Sequence, residues 1–317
     1  MKLFLAILLL GAGGAFAQAV APDTVSAPAP YMQVRYTDDR LAELQIALRK
    51  MTPEKKDQPV IWLVGVAHIG EPAYYRKLQK FLNKCDLVLY EGVGDSPRKM
   101  REAEDPASAS LQGDLADALD LVFQLRAIDY APEHFRNSDT SMEGLKDLME
   151  KAARESEAGE QASEELNRLL ATMQGGGLMG DLVDGLMVWL KSSPQLKNMV
   201  KLMFIEMLGN IKGDMGAARM PPEMQKLMEL LIDERNKVVM QDLGKEWRKP
   251  EPPGSIAVFY GAAHMHDLEE RIAKRGYRPG KDRWLTAISL DIKEAGIRKQ
   301  DVLLIRRMVK MQLDALK

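Results

Sequence analysis

Two apolar runs near opposite ends of the chain finish in the same phrase, Gly-x-x-His, and this repeat constrains the fold more than any other feature. Pro59 to Val64 runs into Gly65-Val66-Ala67-His68, and Ser255 to Tyr260 runs into Gly261-Ala262-Ala263-His264. Each run reads as a short buried strand, and a helical pattern follows each phrase. Alternating strands and helices predict an α/β fold, in which chemistry gathers at the carboxyl ends of strands. Two of the four histidines close these phrases, so both turns are expected to face one site.

The neighbourhoods match as well as the phrases. After His68 a helix is expected through Pro72, Tyr75, Leu78, Phe81 and Leu82, then a strand from Asp86 to Tyr90 that ends at Glu91-Gly92. After His264 a helix is expected over 266–275, stopping at Gly276, then a strand from Trp284 to Leu290 that ends at Asp291. The expected architecture is therefore two related β-α-β halves forming one sheet and one cleft. Between them, about residues 107–247, lies a long helical insert with a Met-rich apolar stretch that includes Leu178, Met179, Leu186, Met187, Trp189, Met199, Met203, Phe204 and Met207. This insert reads as helical core or lid, or else as a Met-rich adaptable binding groove. Asp181, Asp184, Lys191 and Lys197 interrupt it too often for a membrane span.

The first residues read as an export signal. Lys2 is followed by the apolar Leu3–Leu10 and by Ala15-Phe16-Ala17, a small-x-small cleavage pattern. Residues 1–17 are accordingly expected to be a signal peptide, 18–37 a flexible leader, and 38–317 a single α/β domain, placing the protein in the periplasm or outside the cell. A helix is expected over 38–51, with Asp38 or Asp39 as its cap and Leu41, Leu44, Ile46 and Leu48 as its apolar positions. The single cysteine, Cys85, allows no intrachain disulfide and reads as a small buried hydrophobe. A net charge of −2 gives no electrostatic case for nucleic acid, and no transmembrane anchor is expected.

Several residue types suit chemistry. A neutral imidazole is a metal ligand or a base near neutral pH, which singles out His68 and His264. Glu91 closes a run that looks buried, where a carboxylate is costly unless paired or liganded. Two histidines and a carboxylate form a common set for a divalent metal such as Zn, Mn or Co. Arg235, in Asp233-Glu234-Arg235-Asn236, could anchor a substrate carboxylate or steady an oxyanion. Asp291 stands where Glu91 stands in the other half and is a possible further ligand. His266 falls at a helix start, where residues two apart diverge, and reads as a first-turn residue; His134 reads as structural. Serine and cysteine triads have no support, since G-x-S-x-G is absent, and so is the zinc-peptidase H-E-x-x-H.

The two Gly-x-x-His phrases, the glutamate ending the intervening strand and the Glu-Arg-Asn before the second phrase together resemble the TraB/GumN family, which includes the Tiki proteins and belongs to a wider erythromycin-esterase and ChaN-like superfamily. The resemblance rests on residues 59–92 and 233–291. It implies an α/β fold of two related halves around one cleft and, as in Tiki members, a metal-dependent peptidase with His68, His264 and Glu91 in the site and Arg235 beside them.

The leading expectation is an exported metal-dependent hydrolase acting on peptide or amide bonds, with His68 and His264 as ligands and Glu91 as third ligand or base. Its partner would be a peptide or small-molecule substrate. The alternatives are a non-catalytic protein that binds or sequesters a peptide, haem or metal, and an esterase that uses a histidine base without metal.

Overall fold

The computed structural model describes residues 29–92, 111–141, 143, 144, 147, 189–211 and 222–314. The expected signal peptide, residues 18–28 and most of the Met-rich stretch before Trp189 lie outside them. The strands are β1 (Met32–Thr37), β2 (Leu41–Pro53), β3 (Val60–Val66), β4 (Ile69–Gly70), β5 (Leu87–Tyr90), β6 (Val122–Phe123), β7 (Phe135–Asn137), β8 (Ser255–Gly261) and β9 (Tyr277–Asp291). The helices are α1 (Pro72–Leu82), α2 (Leu111–Ala118), α3 (Gln124–Ala127), α4 (Pro194–Gly209), α5 (Pro222–Glu246), α6 (Met265–Ala273) and α7 (Lys299–Asp314). Seven strands form one mixed sheet, while β4 and β6 pair as a separate two-stranded ribbon. The protein is thus α/β, as the alternation of patterns predicts.

The strand order places the site. β3, β8, β5 and β7 run parallel and adjacent in that order. β2 lies antiparallel along the far side of β3, and β9 lies antiparallel along β2. A strand has only two edges, so β1 and β3 share the edge of β2 that β9 leaves open: β1 takes Leu41–Ile46 and β3 takes Leu48–Met51. The crossover β3–α1–β5 steps past β8 in one direction. The crossover β8–α6–β9 steps past β3 and β2 in the other. Right-handed crossovers that travel in opposite directions lie on opposite faces of a sheet.

The two cores agree with this. Tyr74, Tyr75, Leu78 and Leu82 of α1 pack with Val64, Val88, Ala257 and Phe259 on one face. Met265, Leu268 and Ile272 of α6 pack with Ile61, Leu63, Ile256, Val258 and Tyr260 on the other, where Val239 and Leu243 of α5 join them. Successive residues of β8 alternate between the faces, as the pleat requires. The chain therefore leaves β3 and β8 on opposite faces, a switch point of the kind at which α/β proteins place their ligand sites.

Several expectations need correction. Residues 41–53 form a strand and not a helix. Their alternation Ala42, Leu44, Ile46, Leu48 is a period of two, and all four are buried in one face of the sheet. Asp38 and Asp39 do not cap a helix. Both have positive φ, 52° and 49°, and the Arg40 N–H donates to the Thr37 carbonyl at 3.0 Å. This is the tight hairpin turn with two left-handed residues, which aspartate tolerates as readily as it caps helices. The leader is also shorter than expected, since β1 occupies Met32–Thr37 and Tyr31 is buried under the Arg49 guanidinium, 4.2 Å from its ring.

The stretch expected to be a helical insert contributes a strand, β7, to the main sheet. Of its apolar residues, Leu190, Phe204 and Met207 are buried, and Met199 and Met203 pack partly buried against the core. Cys85 is buried, as expected, and burial pushes its thiol up to about 11. Among the described residues no helix is long and apolar enough to cross a membrane.

Candidate functional site

The three expected site residues follow the carboxyl ends of three adjacent parallel strands. Val66 of β3 lies opposite Gly261 of β8, and Tyr90 of β5 lies opposite Phe259. Glu91 continues β5, its N–H donating to the Phe259 carbonyl at 3.0 Å. Its neighbour is therefore β8, which lies between β5 and β3. The first glycine has a packing reason to be there. A Cβ on Gly65 would come within 3.2 Å of Ile46 and 3.4 Å of the Ala47 carbonyl, and only glycine allows that approach without a shift.

Glu91 is the hub. Its Oε2 accepts the Gly261 N–H at 2.6 Å, and its Oε1 accepts from the Arg235 guanidinium at 2.6 Å. Arg235 reaches over from α5 and also grips Asp139, through Nε at 2.9 Å and through the shared terminal nitrogen at 2.7 Å. The side chain of Asp139 is fully buried, and those of Glu91 and Arg235 are each 13% exposed. Burial alone would raise the Glu91 carboxyl. The Arg235 charge, His264, His68 and the Gly261 N–H together outweigh it and hold the carboxyl well below the usual carboxylate range. Burial would likewise weaken the Arg235 cation, but Glu91 and Asp139 raise it above its ordinary value.

His264 sits in a 3₁₀ turn, Ala262–His264, that leads into α6. Its Nδ1 lies 2.8 Å from the Asn236 Oδ1. The assignment of that oxygen follows from the other end of the amide: the Asn236 Nδ2 donates to the Asp267 carboxylate at 2.7 Å, and a carboxylate can only accept. Asp267 is in turn held by Arg271 at 2.6 Å. The amide oxygen therefore faces the ring, Nδ1 carries the proton, and Nε2 presents a lone pair. Burial pushes His264 down to about 4, against the pull of Glu91, so the ring is neutral near pH 7.

His68 is held in a parallel way from the other face. The ribbon of β4 and β6 brings Gln124 beside it: the Gln124 N–H donates to the His68 carbonyl at 2.8 Å, and its Oε1 lies 2.9 Å from the His68 Nδ1. The Gln124 Nε2 donates to the Tyr130 hydroxyl at 2.9 Å. Nε2 is again the ring nitrogen left for chemistry. Sequence reasoning missed Gln124, Asn236 and Asp139. Asn236 adjoins Arg235 and could have been weighed with it, whereas nothing local to Gln124 or Asp139 signals their roles.

The other candidates lie elsewhere. Asp291 closes β9 opposite Leu41, three strands from β8, and pairs with Arg40 at 2.6 Å. His266 packs edge-on against Tyr31 with ring centroids 5.3 Å apart. Neither joins His264.

What the arrangement can do follows from charge and spacing. The His264 Nε2 stands 3.6 Å from the Glu91 Oε1 and 3.5 Å from the Arg235 guanidinium. Two donor atoms 3.6 Å apart can share one divalent ion bonded at about 2.0–2.2 Å to each. Two carboxylates against one guanidinium also leave one negative charge uncompensated, which is costly at this burial. A cation fits in kind. Among the described residues no set of three or more His, Cys, Asp or Glu side chains forms a ready-made metal cluster, His68, Glu91 and His264 included, and Glu91 would have to bind metal while still accepting from Arg235. No protein-family model matches the chain, nor does any curated protein or solved structure.

Proposed function

We propose that this protein is an exported hydrolase that cleaves an amide or peptide bond at the centre formed by His68, Glu91, Arg235 and His264, of the kind that the TraB/GumN resemblance implies. The observation that carries this reading is that both histidines are anchored through Nδ1 to a side-chain amide, which leaves Nε2 of each for ligation or proton transfer beside a buried carboxylate–guanidinium pair. His68, His264 and Glu91 would hold a divalent ion, which when bound supplies Lewis acidity and a more acidic water. The chain's own groups do the rest. Asn236 and Gln124 orient the imidazoles. Glu91, ionised throughout the neutral range, positions the water. Arg235 offers its guanidinium to the oxyanion as charge develops. We read β3–α1 and β8–α6, each a strand, a Gly-x-x-His turn and a helix, as diverged copies of one unit.

The test is metal analysis beside peptide hydrolysis for the wild type, His68→Ala, His264→Ala and Glu91→Gln. Lower metal content in both histidine variants, together with hydrolysis lost in all three, is expected. Equal metal content in all four proteins would remove the ligand assignment.

One observation favours a second reading. The Arg235 guanidinium lies 3.5 Å from the His264 Nε2, so an imidazole base and an oxyanion partner already stand together without a metal. Hydrolysis of esters that survives exhaustive chelation would support that version and displace the metal-dependent one.

A further inference from the structure

A cavity lies toward the amino ends of β3 and β8, away from the histidine turns that follow their carboxyl ends. It measures about 810 Å³, within the size range of small-molecule sites. Three separate elements supply its lining: Lys55 from the β2–β3 loop, Arg275 from the end of α6, and Lys237, Lys245, Trp247 and Arg248 from α5 and the residues after it. Among the described residues no acidic side chain lines it.

The pairing of these cations is uneven. Lys237 is held by Asp233 at 2.7 Å and Glu234 at 2.8 Å, and Lys245 by Asp242 at 2.6 Å. Among the described residues Lys55, Arg248 and Arg275 have no carboxylate partner; Arg275 instead lies 6.0 Å from the Trp247 ring. Cations near helix C-termini are ordinarily explained by the macrodipole, which carries about half a negative charge per helix end. That accounts for Arg248 after α5 and Arg275 after α6, taken singly. It does not account for Lys55, which comes from a loop, nor for three unmatched cations around one concave space. Like charges held together around a cleft raise its potential and draw an anion.

We propose that this cleft binds a small polyanion carrying two or more phosphate or sulfate groups, with Lys55, Arg248 and Arg275 as its charged contacts. Gly244, on the wall of the cleft, gives a way to close it. A Cβ there meets only the Arg248 guanidinium at 3.8 Å, so the position has room for a side chain on the cleft wall. Replacing glycine inside a helix also raises helix propensity, so this variant is expected to fold.

The experiment is calorimetric titration of the full chain with pyrophosphate at low salt, for the wild type, Arg248→Glu, Gly244→Phe and Arg235→Met, with circular dichroism to verify folding. Saturable binding by the wild type is expected, weakened roughly tenfold or more by Arg248→Glu, as loss of a charge-assisted contact requires. Gly244→Phe is expected to abolish it. Absence of binding by the wild type at about 1 mM pyrophosphate overturns the proposal. So does binding that survives in folded Gly244→Phe, or binding lost in Arg235→Met but kept in Arg248→Glu, which would put the anion at the histidine centre. None of these outcomes depends on whether that centre hydrolyses anything.

Discussion

Replacing Arg235 by methionine isolates the charge at the centre of the site. Methionine keeps most of the unbranched stem, so packing changes little while the guanidinium is lost. In the wild type that guanidinium makes three short contacts, two to Asp139 at 2.9 and 2.7 Å and one to Glu91 at 2.6 Å. Asp139 keeps the Gly92 and Thr140 N–H groups and Glu91 keeps Gly261, but both carboxylates remain buried without a countercharge. Breaking such a cluster from one side costs roughly 3–5 kcal/mol. The double variant Arg235→Met/Glu91→Gln removes one orphaned charge and should recover part of that loss; Asp139 is left in place because its two oxygens each accept a backbone N–H, which asparagine could not match. The sign with pH is fixed as well. The wild-type Glu91 carboxyl is held below its ordinary 4.5, so its contribution is present above that value and fades as pH falls below it. Arg235→Met lacks the contribution, and the gap between variant and wild type should narrow on acidification. Urea unfolding followed by circular dichroism, near pH 7 and near pH 4, reads all three quantities. A loss below about 1 kcal/mol near pH 7, the scale of an exposed ion pair, would refute the picture of a desolvated cluster.

Three further outcomes are expected. His264 is depressed from 6.5 to about 4 by burial; its neutral ring contributes stability that is complete above 6.5 and falls by roughly 3 kcal/mol as pH drops to 4, so unfolding curves of chelated wild type and His264→Gln should converge over that window, and parallel curves would contradict the assignment. Nitrogen-15 spectra near pH 7 should show His264 as the Nδ1–H tautomer in the wild type and a mixture in folded Asn236→Leu, where no amide oxygen remains to hold the proton; an unchanged spectrum would remove Asn236 as the orienting group. Gly209→Ala should destabilise by about 1–3 kcal/mol, measured as a lower urea midpoint, because a Cβ there would stand 2.5 Å from the Val34 backbone nitrogen; a neutral effect would mean that α4 and β1 can separate freely.

The parts of the fold that were legible in the sequence are those whose local pattern and tertiary role agree. α1 and α6 carry helical periodicity and bury the face that it predicts, and β3 and β8 are continuous apolar runs because helices cover both faces of the sheet. β2 failed for the opposite reason. Leu41, Glu43, Leu44, Gln45 and Ala47 are good helix formers, and what makes them a strand is β9 along one edge and β1 and β3 along the other, partners remote in sequence. The site divides similarly. His68 and His264 stand out through a repeated phrase, Glu91 by closing an apolar run, and Arg235 through the Glu-Arg-Asn stretch. Gln124 starts a short helix and Asp139 lies in a loop, neither with a local signal, and only strand order and the β4–β6 ribbon bring them to the centre.

That strand order also explains why the centre is a clasp as well as a candidate catalytic site. His264, Arg235 and Asn236 arrive with α6 and α5, which cover one face of the sheet. His68 and Gln124 belong to the loops that cover the other, where Ile128 and Tyr130 are buried. Glu91 and Gly261 continue strands of the sheet between them. A single carboxylate therefore ties β5 to β8 through Gly261, and through Arg235 to α5 and Asp139. Substitutions that delete the charge will loosen all three layers, so lost activity in such variants cannot by itself be read as lost chemistry. Glu91→Gln is the sharper probe: its amide oxygen can still accept from Gly261 or Arg235 while the negative charge is gone. If hydrolysis falls in folded Glu91→Gln while its unfolding midpoint shifts less than that of Arg235→Met, the carboxylate serves the reaction beyond its place in the clasp.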